Sequence, residues 1–344
     1  MDRRAELRDA MTAGAERAVA EDLPDQTLAV NAVTAESGRV LAYAGGTADG
    51  EAVVAIVARI GASSPVPVRM AALSAEFGVR YRLDDGTGQQ TLRVSMLRCR
   101  AADPEVRTLF ASFVHELLLA LPTDPTETDV ADELARWLGL FWRLQAPART
   151  DVVGLVGELT VIGAAQRPDV WVRGWHSVPT STIDFVLTEP SVEIEVKATR
   201  SSTRTHTISA DQAFSLGSRY FASVRVELRD SGSTIGDFAR GIADALGAAE
   251  DRERFWATLA AECGASFGEF MAERFVVDVS DQSLAFFRRE DIPRPELGYP
   301  LPTGVSGVTF RSDFSAAPSQ AANDFFAALG DIDCGSNRAT RPRR

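Results

Sequence analysis

The sequence predicts a mixed α/β protein of more than one domain, and three observations carry that prediction. The chain has 344 residues and is 45% apolar, which is long for one domain and rich enough to bury more than one core. Its first hundred residues carry short strand-like runs divided by turns that contain Gly and Asp. From about 150 to 230 the pattern changes to a helix, strands, a short helix and another strand.

Taken in order, a helix over about 2–20 opens the chain. "GRVLAYAGG", "EAVVAIVARI", "EFGVRYRL" and "QQTLRVSMLRCR" read as strands, with "TADGE" and "LDDGTGQQ" as hairpin turns. "DPEVRTLFASFVHELLLAL" has helical apolar spacing and Asp103 as its N-cap. The polar, Pro-containing "PTDPTET" at 122–128 marks a boundary. The helix "DVADELARWLGLFWRLQA" follows, with Trp137, Phe141 and Trp142 read as core, and stops near Pro147. "DVVGLVGELTVIGAA" is a helix, and "DVWVRGW", "STIDFVL" and "VEIEVKA" are three strands. "SADQAFSLG" is a short helix opened by a Ser209-x-x-Gln212 capping box, and "RYFASVRVEL" is a fourth strand. The succession is α-β-β-β-α-β. A helical stretch, "TIGDFARGIADALGAAEDRERFWATLAAECG", then leads to strands in "RFVVDVSDQSLAFFRR" and "VSGVTFRSDF". The expected regions are therefore 1–126, β-rich with a closing helix; 127–232, the α-β-β-β-α-β core; 233–325, helical and ending in strands; and 326–344, a polar disordered tail.

Charge and composition exclude several classes. No apolar run reaches the ~18 residues of a membrane span, and the N-terminus lacks the apolar core of a signal peptide. Cys99, Cys263 and Cys334 have no metal-ligand spacing, which argues for a reducing, cytoplasmic setting. A net charge of −12 is unlike that of a free-standing, non-specific nucleic-acid binder, which needs cations against phosphate. Contact with DNA would run through a local patch or a partner. "GGTADG" and "GTGQQ" lack the strand, Gly-rich loop and Lys-helix context of a phosphate loop. His115 reads as packing. His176 and His206 flank the hairpin region and read as structural hydrogen-bonding groups or phosphate contacts.

Of the 36 basic residues one is lysine, Lys197. It lies in a predicted hairpin, "STIDFVLTEPSVEIEVKA", whose simplest turn is Thr188-Glu189-Pro190-Ser191. Leu187 then pairs with Val192, and one face collects Ile183, Phe185 and Leu187 against Val196, Ile194 and Val192. The other face sets Asp184 opposite Glu195, with Glu193 and Lys197 beside them. Directly opposed residues have Cβ atoms roughly 4.5–5.5 Å apart, and like charges there destabilise a sheet. A divalent cation turns that repulsion into chelation. An ammonium is compact and its pKa can move, whereas a guanidinium is a wide fork that stays protonated. A site beside phosphate and a nucleophilic water is thus a physical reason to keep one lysine.

"IDFV…VEIEVKA", preceded by "GLVGEL", resembles the PD-(D/E)xK, or restriction-endonuclease-like, nuclease superfamily, whose core is also α-β-β-β-α-β. The chain resembles in particular the uncharacterised bacterial PD-(D/E)xK-motif family found beside restriction-modification genes. "RVSMLRCRAADPEVRTLFASFVHELLLAL", the tryptophan-containing helix, "GLVGEL", "DFV", "EVKA" and "HTISADQ" appear in that family's order, over about 85–315. Ile183 stands where the superfamily motif has proline. The resemblance implies Asp184 and Glu195 as metal ligands, Lys197 as the catalytic lysine, Glu158 as a helical carboxylate of the site, and Gln212 as a supporting polar residue. It implies a Mg²⁺-dependent DNA endonuclease, with Mn²⁺ as substitute, in a restriction or phage-defence system. A helicase-like ATPase and a methyltransferase are the partners implied. The alternative is a non-catalytic nuclease-fold subunit used for assembly or DNA docking. Arg173, Arg200 and Arg204 lie near the hairpin in sequence and are candidates for phosphate contacts.

Overall fold

The computed structural model describes residues 3–21, 23, 27–34, 38–47, 49–61, 63–178, 183–214, 217–276 and 283–330. The chain divides into two compact units, Met1–Pro147 with Gly264–Gly268, and Ala148–Cys263 with Glu269–Arg344.

The first unit is built from α1 (Arg3–Ala20), β1 (Thr27–Thr34), β2 (Val40–Gly46), β3 (Ala52–Ile56), β4 (Val68–Arg69), β5 (Leu73–Asp84), β6 (Gln89–Cys99), α2 (Pro104–Ala120) and α3 (Glu127–Arg143). The strands run β1-β2-β3-β6-β5-β4, and β1 also pairs with β5. Five strands therefore close into a ring. An odd ring cannot alternate direction throughout, so one junction must be parallel. That junction is β1–β5, from Thr27 opposite Arg82 to Ala29 opposite Asp84. Leu28, Val30, Tyr43, Val53, Ala55, Leu83, Val94 and Met96 form one buried cluster. The strand β1 is absent from the sequence reading, because its buried run Thr27–Val30 breaks the expected alternation.

Asp103 caps α2 as expected, its carboxylate accepting from the Glu105 and Val106 N–H groups. Thr126 caps α3 in a reciprocal box with Asp129. The segment read as an interdomain boundary is thus a helix start. Trp137 and Phe141 of α3 each lie 5.5 Å from Phe113 of α2, and Glu127 holds Arg93 of β6 at 2.8 Å. The division accordingly falls after Pro147 rather than after 126. Trp137 and Phe141, four residues apart, share the buried face; Trp142, expected with them, is turned about 100° further round the helix and is 62% exposed.

The second unit contains α4 (Val152–Ala164), α5 (Pro168–Gly174), β7 (Phe185–Thr188), β8 (Ser191–Thr199), β9 (Thr205–Ser209), α6 (Ala210–Phe214), β10 (Arg219–Arg225), β11 (Glu227–Thr234), α7 (Ile235–Ala245), α8 (Ala249–Cys263), most of α9 (Phe267–Ala272), β12 (Arg274–Val276), β13 (Leu284–Arg288), β14 (Thr309–Asp313), β15 (Gln320–Ala321) and α10 (Ala322–Ala328). Its main sheet runs β15-β13-β10-β8-β7. β8 and β10 are parallel, and the other neighbours are antiparallel.

Four expectations change here. "DVWVRGW" belongs to helix α5 and its C-cap, not to a strand: Pro168 sits at the first helical position with Asp169 in the first turn. A run this short, with Trp171, Val172 and Trp175 all buried, has no periodicity that separates helix from strand. The third strand of the succession is instead β9, which is hydrogen-bonded to β14 and not to β8. The region 233–325 is not separate either, since β13 and β15 extend the sheet that holds β8. Phe325 and Phe326 are buried against Phe286, so the packed unit continues past 326; residues 331–344, including Cys334, lie outside the described residues. Cys99 and Cys263 are buried free thiols. Among the described residues no helix is long and apolar enough to cross a membrane.

Candidate active site

The hairpin β7–β8 has the register read from the sequence. Leu187 is opposite Val192, Phe185 opposite Ile194, and Glu189 and Pro190 form the turn. Ile183, Phe185, Leu187, Val192, Ile194 and Val196 are all buried. Ser181 and Thr182 of the expected strand lie outside the described residues. The ladder starts at Phe185, one residue after Asp184, whose Oδ2 accepts the Val196 N–H at 2.7 Å. That bond ties Asp184 to β8 beside Glu195.

The two glutamates on the polar face of β8 have opposite fates. Glu193 is paired by the Arg219 guanidinium. Glu195 is 3% exposed. Its Oε1 accepts from Lys197 Nζ at 2.9 Å and from the Gln212 side-chain amide. Its Oε2 is buried with no hydrogen-bond partner among the described residues. Gln212 is held at its other end: its Oε1 accepts the Ser209 N–H, and its own N–H donates to Ser209 Oγ. The predicted capping box is therefore present, and it also aims the amide at Glu195. Arg219 fixes the same turn through the Asp211 and Gln212 carbonyls.

Glu158 comes from α4. Gly157 lets that helix approach β8 closely, since a Cβ there would stand 2.8 Å from the Ala198 methyl. Glu158 Oε2 accepts from Trp175 Nε1 at 2.6 Å and lies 3.0 Å from His176 Nε2. His176 in turn donates its backbone N–H to the Asp184 carbonyl at 2.8 Å. One ligand atom each from Glu158, His176 and Asp184 lie within 4.8 Å of one another.

This crowding shifts the titrations. Asp184 is held well above the ordinary carboxylate range, first by burial and then by the charges of Glu195 and Glu158. Glu195 is raised mainly by burial, against the opposing pull of Lys197. For His176, burial pulls downward, but the Glu158 bond and the charges of Glu158, Glu262 and Glu195 outweigh it and raise the pKa. A buried carboxylate cluster with an oxygen that nothing satisfies is the donor set a hard divalent cation takes. The ligand atoms that meet are those of Glu158, His176 and Asp184; the Glu195 carboxylate, whose charge acts on Asp184, is the further acidic group beside them.

Asp184, Glu195, Lys197, Glu158 and Gln212 thus belong to one interaction network. Trp175 joins it without having been selected from the sequence, and His176, read there as a structural hydrogen-bonding group or a phosphate contact, joins it through Glu158. The only local signal was their place just before the hairpin. Glu262 Oε2 also lies 3.8 Å from His176 Nε2. The three arginine candidates for phosphate contacts differ in their surroundings. Arg173 is bound by Asp251 through two hydrogen bonds, and Arg204 is bonded to the Ser223 carbonyl and hydroxyl, so both brace the unit. Arg200 is exposed. His206 is a structural residue: its Nε2 is 2.8 Å from Ser223 Oγ, and burial, with Lys197 and Arg204 nearby, lowers its pKa to about 4.

Residues 26–315 match the family described as "Putative PD-(D/E)XK family member", DUF4420. Comparison with curated proteins and with solved structures gives no match.

Proposed function

The chain belongs to this PD-(D/E)XK family, and from that premise we propose that it is a metal-dependent endodeoxyribonuclease that hydrolyses phosphodiester bonds. The observation that carries the reading is the buried set Glu158, Asp184 and Glu195, with Lys197 bonded to Glu195. Three carboxylates against one lysine leave an excess of negative charge that stability alone would not select.

Asp184, Glu195 and Glu158 would hold Mg²⁺, or Mn²⁺ in its place. When bound, the ion supplies Lewis-acid polarisation of a phosphate oxygen and lowers the pKa of a water. The protein groups divide the remaining work. Val196 N–H holds the Asp184 carboxylate, and Trp175 holds that of Glu158. Gln212 and Lys197 both occupy Glu195 Oε1, which leaves Oε2 as the free donor. Lys197 Nζ has further protons to offer, so it can orient the attacking water and stabilise charge growing on the phosphate. The water oxygen bonds to phosphorus as the bridging P–O bond breaks. The net charge of −12 supports delivery of DNA by a partner, and a restriction or phage-defence assembly with a helicase-like ATPase and a methyltransferase is the setting we propose.

The test is calorimetry with Mg²⁺, Mn²⁺ and Ca²⁺ on wild type and Asp184→Asn, run beside cleavage of plasmid and phage DNA. Wild type should bind all three ions and cleave with the first two, and the variant should lose the metal site. Metal binding without cleavage, with every proposed partner present, would convert the reading to a non-catalytic docking subunit.

A further inference from the structure

The family motif accounts for the carboxylates and the lysine but not for the imidazole among them. Building on the metal-site reading above, we propose that His176 is itself a metal ligand through Nε2. The site then takes its cation on a mixed nitrogen–oxygen donor set and selects Mn²⁺-like ions over Mg²⁺.

Geometry is the first argument. His176 Nε2 lies 3.0 Å from Glu158 Oε2, and the donor atoms of Glu158, His176 and Asp184 are within 4.8 Å of one another. In an octahedral shell with bonds of ~2.1 Å, adjacent donors stand about 3.0 Å apart and opposite donors about 4.2 Å. The His176–Glu158 separation therefore suits neighbouring ligands. Asp184 can stand opposite one of the other two donors and adjacent to the other, so from separations within 4.8 Å the set closes by up to about 1.8 Å when an ion binds.

The backbone is the second. His176 has φ +42°, the one positive φ among the described non-glycine residues. Few L-residues adopt that conformation, histidine more often than most, and it persists where surrounding contacts hold it. Here the unusual backbone is fastened to a ligand residue, because the His176 N–H donates to the Asp184 carbonyl, and Trp175 and Phe185 form a bridge beside it. The ring is thus tied to Asp184 through its own backbone N–H.

The third is redundancy. Glu158 Oε2 already accepts from Trp175 at 2.6 Å, so Glu158 has an orienting donor without His176. The other histidine near Lys197 has a different neighbour: His206 is buried, and its Nε2 meets the Ser223 hydroxyl rather than a carboxylate.

The chemical consequence follows from donor type. Mg²⁺ is served by oxygen ligands and waters, whereas an imidazole nitrogen favours first-row transition ions. Pulsed electron paramagnetic resonance on the Mn²⁺-loaded full-length chain reads the bond directly. We expect a ¹⁴N coupling in wild type, its replacement by a ¹⁵N coupling on histidine-selective labelling, and its loss in His176→Asn. Asparagine tolerates positive φ, which separates ligand loss from backbone strain. In calorimetry the same variant should weaken Mn²⁺ binding on the order of ten-fold or more, and Mg²⁺ binding by less. Should His176→Asn fail to fold, the labelled wild type and a His206→Gln variant decide, the latter retaining the signal; loss of the signal in His206→Gln overturns the assignment. Mn²⁺ bound with no nitrogen coupling overturns the His176 ligand and leaves the carboxylate centre standing. No Mn²⁺ bound to wild type, alone or with duplex DNA, removes both.

Discussion

The two units treat a buried carboxylate in opposite ways. In the first, Glu127 is 2% exposed and takes an arginine with it, Arg93 at 2.8 Å. Parts of the second obey the same rule: buried Asp251 has Arg173, and half-buried Glu193 has Arg219. The cluster of Glu158, Asp184 and Glu195 does not, with Lys197 and the His176 ring as its cationic partners. Burying an ion is costly, and a partner offsets the cost. A site left one to two positive charges short is a site with room for a divalent cation. The contrast is therefore between carboxylates paired by an arginine and one cluster in the second unit that is not, the cluster to which we assign a divalent cation.

The sharpest way to break this contrast is catalytic. Glu195→Gln should abolish cleavage. Lys197→Arg should lower it by on the order of 10² or more, because a guanidinium is too wide for the place beside Glu195 and too basic to share a proton near neutrality. DNA binding at fixed salt should persist in both. Near wild-type cleavage by Lys197→Arg would reduce the lysine to a generic cation.

Stability tests the contrast by sign. In chelator at neutral pH, Glu127→Gln should destabilise by about 1–3 kcal/mol, the worth of a hydrogen bond to a charged group. Asp184→Asn should stabilise by on the order of 1 kcal/mol, since it removes one of the repelling charges and keeps an acceptor for the Val196 N–H. Asp184 and Glu195 have raised pKa values in the fold, so the folded state holds more protons than the unfolded chain above the ordinary carboxylate pKa. Their contribution is thus fully present at low pH and is lost as pH rises through the raised values. The gain from Asp184→Asn in denaturant melts should widen over that rise and shrink when Mg²⁺ is added. A gain independent of pH would mean that packing, not charge, sets the difference.

Within the second unit the smallest effect should come from Glu193→Gln. It faces the same side of β8 as Glu195, but Arg219 already balances it, and glutamine can still accept from that arginine. Most activity should remain in a plasmid-cleavage assay. Loss of activity equal to that of Glu195→Gln would place the metal on the other carboxylate.

Much of this site was legible in the chain because its rules are local. Side chains alternate along a strand, so choosing a turn at 188–191 was enough to set Leu187 opposite Val192 and to separate the apolar face from Asp184, Glu195 and Lys197. A single lysine among 36 basic residues is visible without any structure. The Ser209-x-x-Gln212 and Asp103 caps are likewise contacts within one helical turn. What the sequence alone could not decide depends on segments far apart. Only packing shows that 169–175 is helix and C-cap, that β1 closes a ring against β5, and that α3 belongs with α2. Only packing shows that Arg219 neutralises Glu193 while Glu195 Oε2 is left without a partner, because Arg219 arrives from a strand 26 residues away. The His176 ring reaches Glu158 through a positive φ and a bond to Asp184. No periodicity encodes such a turn, since its energy comes from the groups that the folded chain brings around it.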